Sequence, residues 1–173
     1  MRTKDYLILA EIAGDDITRY RKPEYVSGYK APDTLNDLTL GELLRLQAIS
    51  EPMEAIVTPC NVLFGMTENE VMEAEASEVM GFSAWTGKEV QRINKLFAST
   101  SVPPTSEERQ AGIESLDFGP FGLIDYYAQR MGISDHEEVE RVPWVRVYKC
   151  MDMDAKRQIF QRRLREVLQK KNK

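Results

Sequence analysis

PPTSEERQAGIESLDFGPFGLIDYYAQRMGISDHEEVERVPWVRVYK, residues 103–149, decides the fold. Thr105 followed by Glu108, and Ser134 followed by Glu137, are N-capping boxes. In such a box the hydroxyl accepts from the N3 amide and the glutamate reaches back to the cap amide. Pro103 and Pro104 exclude helix before the first box and deliver the chain to it. Gly119-Pro120-Phe121-Gly122 predicts a break before an aromatic-rich helix over 123–131, and Gly132 predicts its left-handed terminus. Val142-Pro143 marks a further start, after which Trp144, Val147, Tyr148 and Met151 share one helical face. The density of caps and joints describes a helical module, not an active site.

The same boxes recur outward, at Thr39/Glu42, Thr67/Glu70 and Thr86/Glu89. Five boxes, most followed by apolar residues at helical spacing, predict an all-α chain: a compact bundle of about six to eight short helices. The helix after Thr39 buries Leu40, Leu43, Leu44 and Ala48. A second begins at Pro52 with Ser50 as its cap, is kinked or restarted at Pro59, and ends at Gly65. The helix after Thr67 carries Val71, Met72, Ala76, Val79 and Met80, resets near Ser77 and ends at Gly81. The next, over 83–98, aligns Trp85, Val90, Ile93, Leu96 and Phe97. The last helix, capped by Asp152 or Asp154, carries an apolar stripe of Ile159, Phe160, Leu164, Val167 and Leu168, with arginines on the opposite face. Residues 1–35 read as an irregular N-terminal arm: 5–13 as strand or helix, then a turn at Gly14-Asp15-Asp16, then a Tyr-rich extended segment or small hairpin. The expected division is 1–35, 36–99 and 100–173.

With 173 residues, 42% hydrophobic and 29% charged, the chain has the composition of a soluble globular protein. No run approaches the roughly 18 apolar residues of a membrane span. Asp5 and Glu11 interrupt the short apolar stretch near the start, which argues against a signal peptide and for an intracellular protein. Cys60 and Cys150 sit in apolar settings and read as buried thiols. The net charge of −5 is segregated. No Lys or Arg lies between Arg45 and Lys88, where Glu51, Glu54, Glu68, Glu70, Glu73, Glu75 and Glu78 gather. At the C-terminal end Lys156, Arg157, Arg162, Arg163, Arg165, Lys170, Lys171 and Lys173 face one acid, Glu166. Such blocks pair within a monomer, between copies, or with different partners.

Candidate chemistry is sparse. His136 is the only histidine and sits among acids at a helix start, the place of a solvated residue rather than of a catalytic base. Cysteines ninety residues apart make no zinc set. Gly112, Gly119 and Gly122 match no phosphate loop. Glu107, Glu108, Glu137, Glu138 and Glu140 suit first-turn dipole compensation. No metal or cofactor is implied. Two binding features remain. Met53, Met66, Met72 and Met80 lie within or beside the acidic block, and adaptable thioethers rimmed by glutamates suit an amphipathic partner helix, as flexible core filling would equally explain them. Arg157, Arg162 and Arg163 on the basic last helix suit an acidic protein surface; nucleic acid ranks below that and below a merely solvated face. The arm's interleaved Arg19, Tyr20, Arg21, Lys22, Tyr25, Tyr29 and Lys30 favour packing of tyrosines onto the body over single-strand binding.

Leu38-Thr39-Leu40-Gly41-Glu42-Leu43 with Leu44 and Leu46, the apolar 56–65 segment running into Met66-Thr67-Glu68-Asn69-Glu70-Val71, and the 90–97 helix resemble the tail assembly chaperone-like proteins of tailed bacteriophages. Asp125-Tyr126-Tyr127-Ala128, Arg130-Met131-Gly132 and Val142-Pro143-Trp144 are similar to the C-terminal extension of phage and prophage relatives. The resemblance spans about residues 36–168 and rests on structural, not catalytic, motifs. It implies a non-enzymatic morphogenesis protein of the bacterial cytoplasm that binds the tape-measure protein and helps recruit tail-tube subunits; pairing of the acidic and basic blocks between copies would make it a homo-oligomer. The alternative is a structural or connector component of the virion.

Overall fold

A computed structural model describes residues 1–13 and 20–171. Nine α-helices and one small hairpin make up the described residues: α1 Thr3–Ala13, β1 Tyr25–Val26, β2 Tyr29–Lys30, α2 Leu40–Gln47, α3 Pro52–Phe64, α4 Glu68–Glu73, α5 Ala76–Ala98, α6 Ser106–Gln110, α7 Gly119–Met131, α8 His136–Glu140 and α9 Trp144–Lys171. A 3₁₀ turn, Ile113–Ser115, lies between α6 and α7. The all-α expectation holds. Contacts divide the chain into two compact units: Met1–Leu38 with Glu42–Ile93, and Thr39–Gly41 with Asn94–Lys173.

In the first unit the N-terminal segment is part of the body. Residues 3–13 take the helical alternative, and α1 docks on the end of α4, where the Thr3 amide and hydroxyl both donate to the Ala74 carbonyl, at 2.9 and 3.1 Å. The later segment is the hairpin. Ser27 and Gly28 both have positive φ, 49° and 87°, the backbone of a two-residue turn whose twist matches its strands. The Ser27 amide donates to Glu78 of α5 at 2.9 Å. Val26 and Ala31 lie in one core with Tyr6, Ile56, Cys60, Val71, Val79 and Phe82. This shared core is why residues 1–35 do not stand apart as an arm. Of the basic and tyrosine residues noted there, Arg19 falls outside the described residues, as does the Gly14-Asp15-Asp16 turn. Tyr29 stacks on Phe64, which tilts against Phe82 and so on to Trp85, with the Lys22 ammonium 4.5 Å over the indole. Burial pushes the Cys60 thiol up to about 12, so it remains protonated at neutral pH.

Local signals succeed at helix starts and fail inside helices. The Thr67/Glu70 and Thr105/Glu108 boxes form where expected. The cap of α3 is Glu51, not Ser50, and the Glu54 carboxylate accepts from both their amides. Helix α3 runs through Pro59 to the left-handed Gly65. Thr86 is no cap: it is buried in the middle of α5, its hydroxyl without a hydrogen-bond partner among the described residues. Asp135, one residue beyond Ser134, caps α8. Gly81 terminates nothing. It is buried within α5, and a Cβ there would lie 2.1 Å from the Arg21 carbonyl oxygen, so glycine is required for the chain to cross the helix.

The second unit is centred on Trp144, with Leu40, Ile124, Tyr127, Val139 and Val147 buried. The Leu40 amide donates to the Val142 carbonyl at 2.8 Å, tying residues 39–41 to this unit. Gly119-Pro120-Phe121-Gly122 does not break a helix but opens one: the Asp117 carboxylate accepts from the Gly119 amide, and Pro120 sits in the first turn, where a missing amide costs nothing. Gly132 ends α7 with φ 68° as expected. Helix α9 continues for 28 residues with no restart at Asp152 or Asp154.

The two glycines of α5 predict opposite effects. Gly81→Ala forces backbone apart and should cost about 2–3 kcal/mol. Gly87, where a Cβ would meet nothing within 4 Å, should gain about 0.5–1 kcal/mol on changing to Ala. Urea unfolding of both variants checks the pair; equal signs would contradict the close approach at Arg21.

Candidate functional site

The acidic, methionine-bearing segment does not assemble the open groove expected from its sequence. Met66 and Met80 are fully buried core residues, Met72 is half-buried, and Met53 alone is open, at 46% exposure. Unbranched thioethers are here the filling of a small core. The glutamates are engaged locally as well. Glu70 closes the α4 cap, and hydrogen bonds from Thr67 hold its carboxyl below the usual range. Glu73 pairs with Lys4 and Arg2, chiefly lowered by the Lys4 hydrogen bond. Glu78 holds the hairpin. These side chains bind the first unit to itself.

The three arginines named with them take different roles. Arg162 is structural: its Nη2 donates to both oxygens of Glu108, each at 2.9 Å, and its Nη1 donates to the Pro103 carbonyl at 2.7 Å. A planar guanidinium, with its donors in a fixed array, suits two neighbouring acceptors of this kind. Arg157 lies 3.6 Å from Asp154, and Arg163 is exposed. Beside the Arg162 fork, the inner face of α9 borders an open cleft of about 320 Å³ lined by Val102, Ile113, Tyr126, Met151 and Gln158. Beside it the Tyr126 hydroxyl donates to Asp154 at 2.5 Å, and Arg130 lies 3.4 Å from the same carboxylate. Burial first, and then the hydrogen bond to Asp154, push the Tyr126 hydroxyl far above its ordinary value.

The outer face of α9 is another matter. Met153, Phe160, Leu164, Val167 and Leu168 are all exposed, Phe160 at 63%. At about 100° per residue they fall within a single arc of roughly 100°. The expected stripe is therefore present, with Met153 added and the half-buried Ile159 lying off it. Of the arginines expected on the opposite face, Arg162 lies there, on the inner side, and Arg157, Arg163 and Arg165 do not. Lys156, Arg163 and Lys170 border the stripe on one side and Arg165 on the other, while Arg157 and Lys171 fall inside its arc, as the helical repeat requires.

A second exposed apolar patch has no counterpart among the sequence expectations. Ile113, Leu116, Phe118 and Phe121 are exposed on the 113–121 segment, Phe118 at 69%. Its signal is four large apolar residues among Gly, Asp, Ser and Pro, without a helical or strand period to bury them. Phe118, Phe121, Gly122, Asp125, Tyr126 and Gln129 outline a cleft of about 360 Å³ here. His136 borders it, with its Nε2 3.7 Å from Asp125 and its ring edge-on to Phe121 at 5.0 Å.

Among the described residues no group of three His, Cys, Asp or Glu side chains gathers to hold a metal, and no helix is long and apolar enough to cross a membrane. Comparison with protein-family models, curated proteins and solved structures returns no match. Functional assignment thus stands on the two exposed surfaces of the second unit.

Arg162→Ala should lower stability by about 1–2 kcal/mol, because a charge-assisted fork and a carbonyl contact are lost together. Arg163→Ala, on the open face, should stay within about 0.5 kcal/mol of the parent. Urea midpoints distinguish the two; equal losses would remove the clamp role from Arg162.

Proposed function

We propose that the protein is a non-enzymatic binder of helical partner proteins in phage tail morphogenesis, acting as a tail assembly chaperone for the tape-measure protein and helping to recruit tail-tube subunits. The observation that supports binding is the exposed apolar stripe of α9, bordered by cations along its length. An apolar helix face left in water is a docking surface waiting for a groove or a second helix. The flanking lysines and arginines select a partner with acidic margins and speed the encounter. The phage assignment draws on the resemblance of residues 36–168 to that chaperone group. In this reading the partner-binding residues are Phe160, Leu164, Val167 and Leu168 with Arg157 and Arg163, in place of the methionines.

The alternative is a connector in the particle, in which the same stripe would make a permanent subunit contact. Mass spectrometry of purified particles separates the two: the chaperone reading expects the chain to be absent.

Co-expression with the long helix-rich protein encoded beside it tests the proposal. The partner should remain soluble and co-purify with this chain. The variant L164E/V167E should lose at least about 90% of the captured partner, a difference of about 1.4 kcal/mol or more, while its circular dichroism stays that of the parent. A partner that precipitates regardless, or a variant that binds as well as the parent, would overturn the proposal.

A further inference from the structure

The second unit carries two exposed apolar surfaces of opposite charge. Around the first, Glu107, Asp117 and Asp125 stand against Arg109, Glu108 being held by Arg162. Around the second, residues 156–171 contain six cations besides the clamped Arg162, against Glu166. Each surface alone is ill suited to meet its own copy. Stripe on stripe would bring Lys156, Arg163 and Lys170 against their like, and patch on patch would oppose Asp117 and Asp125 in the same way. Like charges face to face at the margin of an apolar contact cost affinity and prevent that register.

Unlike surfaces meet both demands. We propose that the α9 stripe of one copy docks on the 113–121 patch of a second copy of this chain. Phe160, the most exposed side chain of the stripe, enters the cleft outlined by Phe118, Phe121 and Tyr126. Arg157 and Arg163 stand one turn to either side of Phe160, within reach of the carboxylates of Asp117 and Asp125 at the rim. Asp125 retains acceptor capacity for this: one oxygen accepts from Gln129 at 2.6 Å, and the other lies 3.7 Å from His136. Exchanged reciprocally, the contact closes a two-fold dimer; made in one direction only, it is heterologous and further copies add in a chain or ring. The inference does not rest on the identity of any client, because the patch lies outside α9.

Charge reversal on each surface provides the test, read by light scattering after size exclusion at about 100 µM chain, a concentration that populates contacts of micromolar strength. The parent protein should run as two chains or more in about 50 mM salt and shrink towards one chain in about 1 M salt. D117K/D125K and R157E/R163E should each run as a single chain. Mixed one to one, they should associate again, because the reversed patch now meets a reversed helix while the two unaltered surfaces still match. F118S, which changes no charge and spares α9, should also reduce association; circular dichroism of each variant reports folding. A parent that stays a single chain in low salt, charge variants that associate as the parent does, or a mixture that remains two separate chains would overturn the proposal. The R157E/R163E variant reports on α9 in both settings, but D117K/D125K and F118S leave α9 intact. Retained partner capture by those two with lost self-association would separate this contact from the client reading.

Discussion

The rotational setting of α9 governs what the second unit presents. The helix is held at places well separated along its length. Near its start Trp144 and Val147 are fully buried, with the indole among Phe97 and Tyr148. Towards its end Arg162 forks onto Glu108 and the Pro103 carbonyl. Between them Asp154 takes the Tyr126 hydroxyl. All three anchors lie on one side of a rigid rod. A rod pinned at separated points cannot roll, so Phe160, Leu164 and Val167 are committed to the outer side. Their exposure follows from the anchoring of the inner face, and truncating Arg162 would free the outer residues to find other contacts.

The first unit solves a different problem: burying enough apolar surface with short helices. Its answer combines close backbone approach with adaptable filling. Gly81 lets the chain at Arg21 lie against α5, and Met66 and Met80 occupy space that branched side chains would fill less readily. The aromatic run from Tyr29 through Phe64 and Phe82 to Trp85 links hairpin, α3 and α5. The glutamates that give this unit its charge act mostly as caps and short ion pairs. Their solvent-facing oxygens still leave it acidic, but not around an open groove.

How much of the fold is legible in the sequence depends on the range of the physics behind each signal. Capping at Thr67 and Thr105 is decided within four residues, and both boxes are legible. Thr86 and Glu89 have the same spacing, yet burial of Val79, Met80, Phe82, Val90 and Ile93 along one side keeps α5 continuous through them. Gly81 has the local signature of a terminator, but its need for a missing Cβ arises from Arg21, sixty residues away. Pro120 has the signature of a breaker, because its position relative to a helix start is fixed only by Asp117 accepting from the first turn. At the candidate site the apolar period of 160, 164, 167 and 168 is legible. Which arginine is a clamp and which is open is not, because Glu108 and Pro103 lie more than fifty residues from Arg162.

An exposed apolar stripe is a hazard as well as a binding surface, and charge is what makes it tolerable. A helix bearing Phe160, Leu164, Val167 and Leu168 without cations would pair with its own copy face to face and aggregate. Four basic side chains on its two borders, with Arg157 and Lys171 inside the arc, oppose that pairing at short range while leaving the apolar side chains available. The opposition is selective: it falls on like-charged neighbours and turns to attraction where a partner offers aromatic side chains with carboxylates around them. The 113–121 patch offers that chemistry, and so would an amphipathic client helix with acidic margins. Partner selection then resides less in the apolar residues, which would accept many occupants, than in the sign of the charge at their borders, with the consequence that binding at this surface weakens as salt rises.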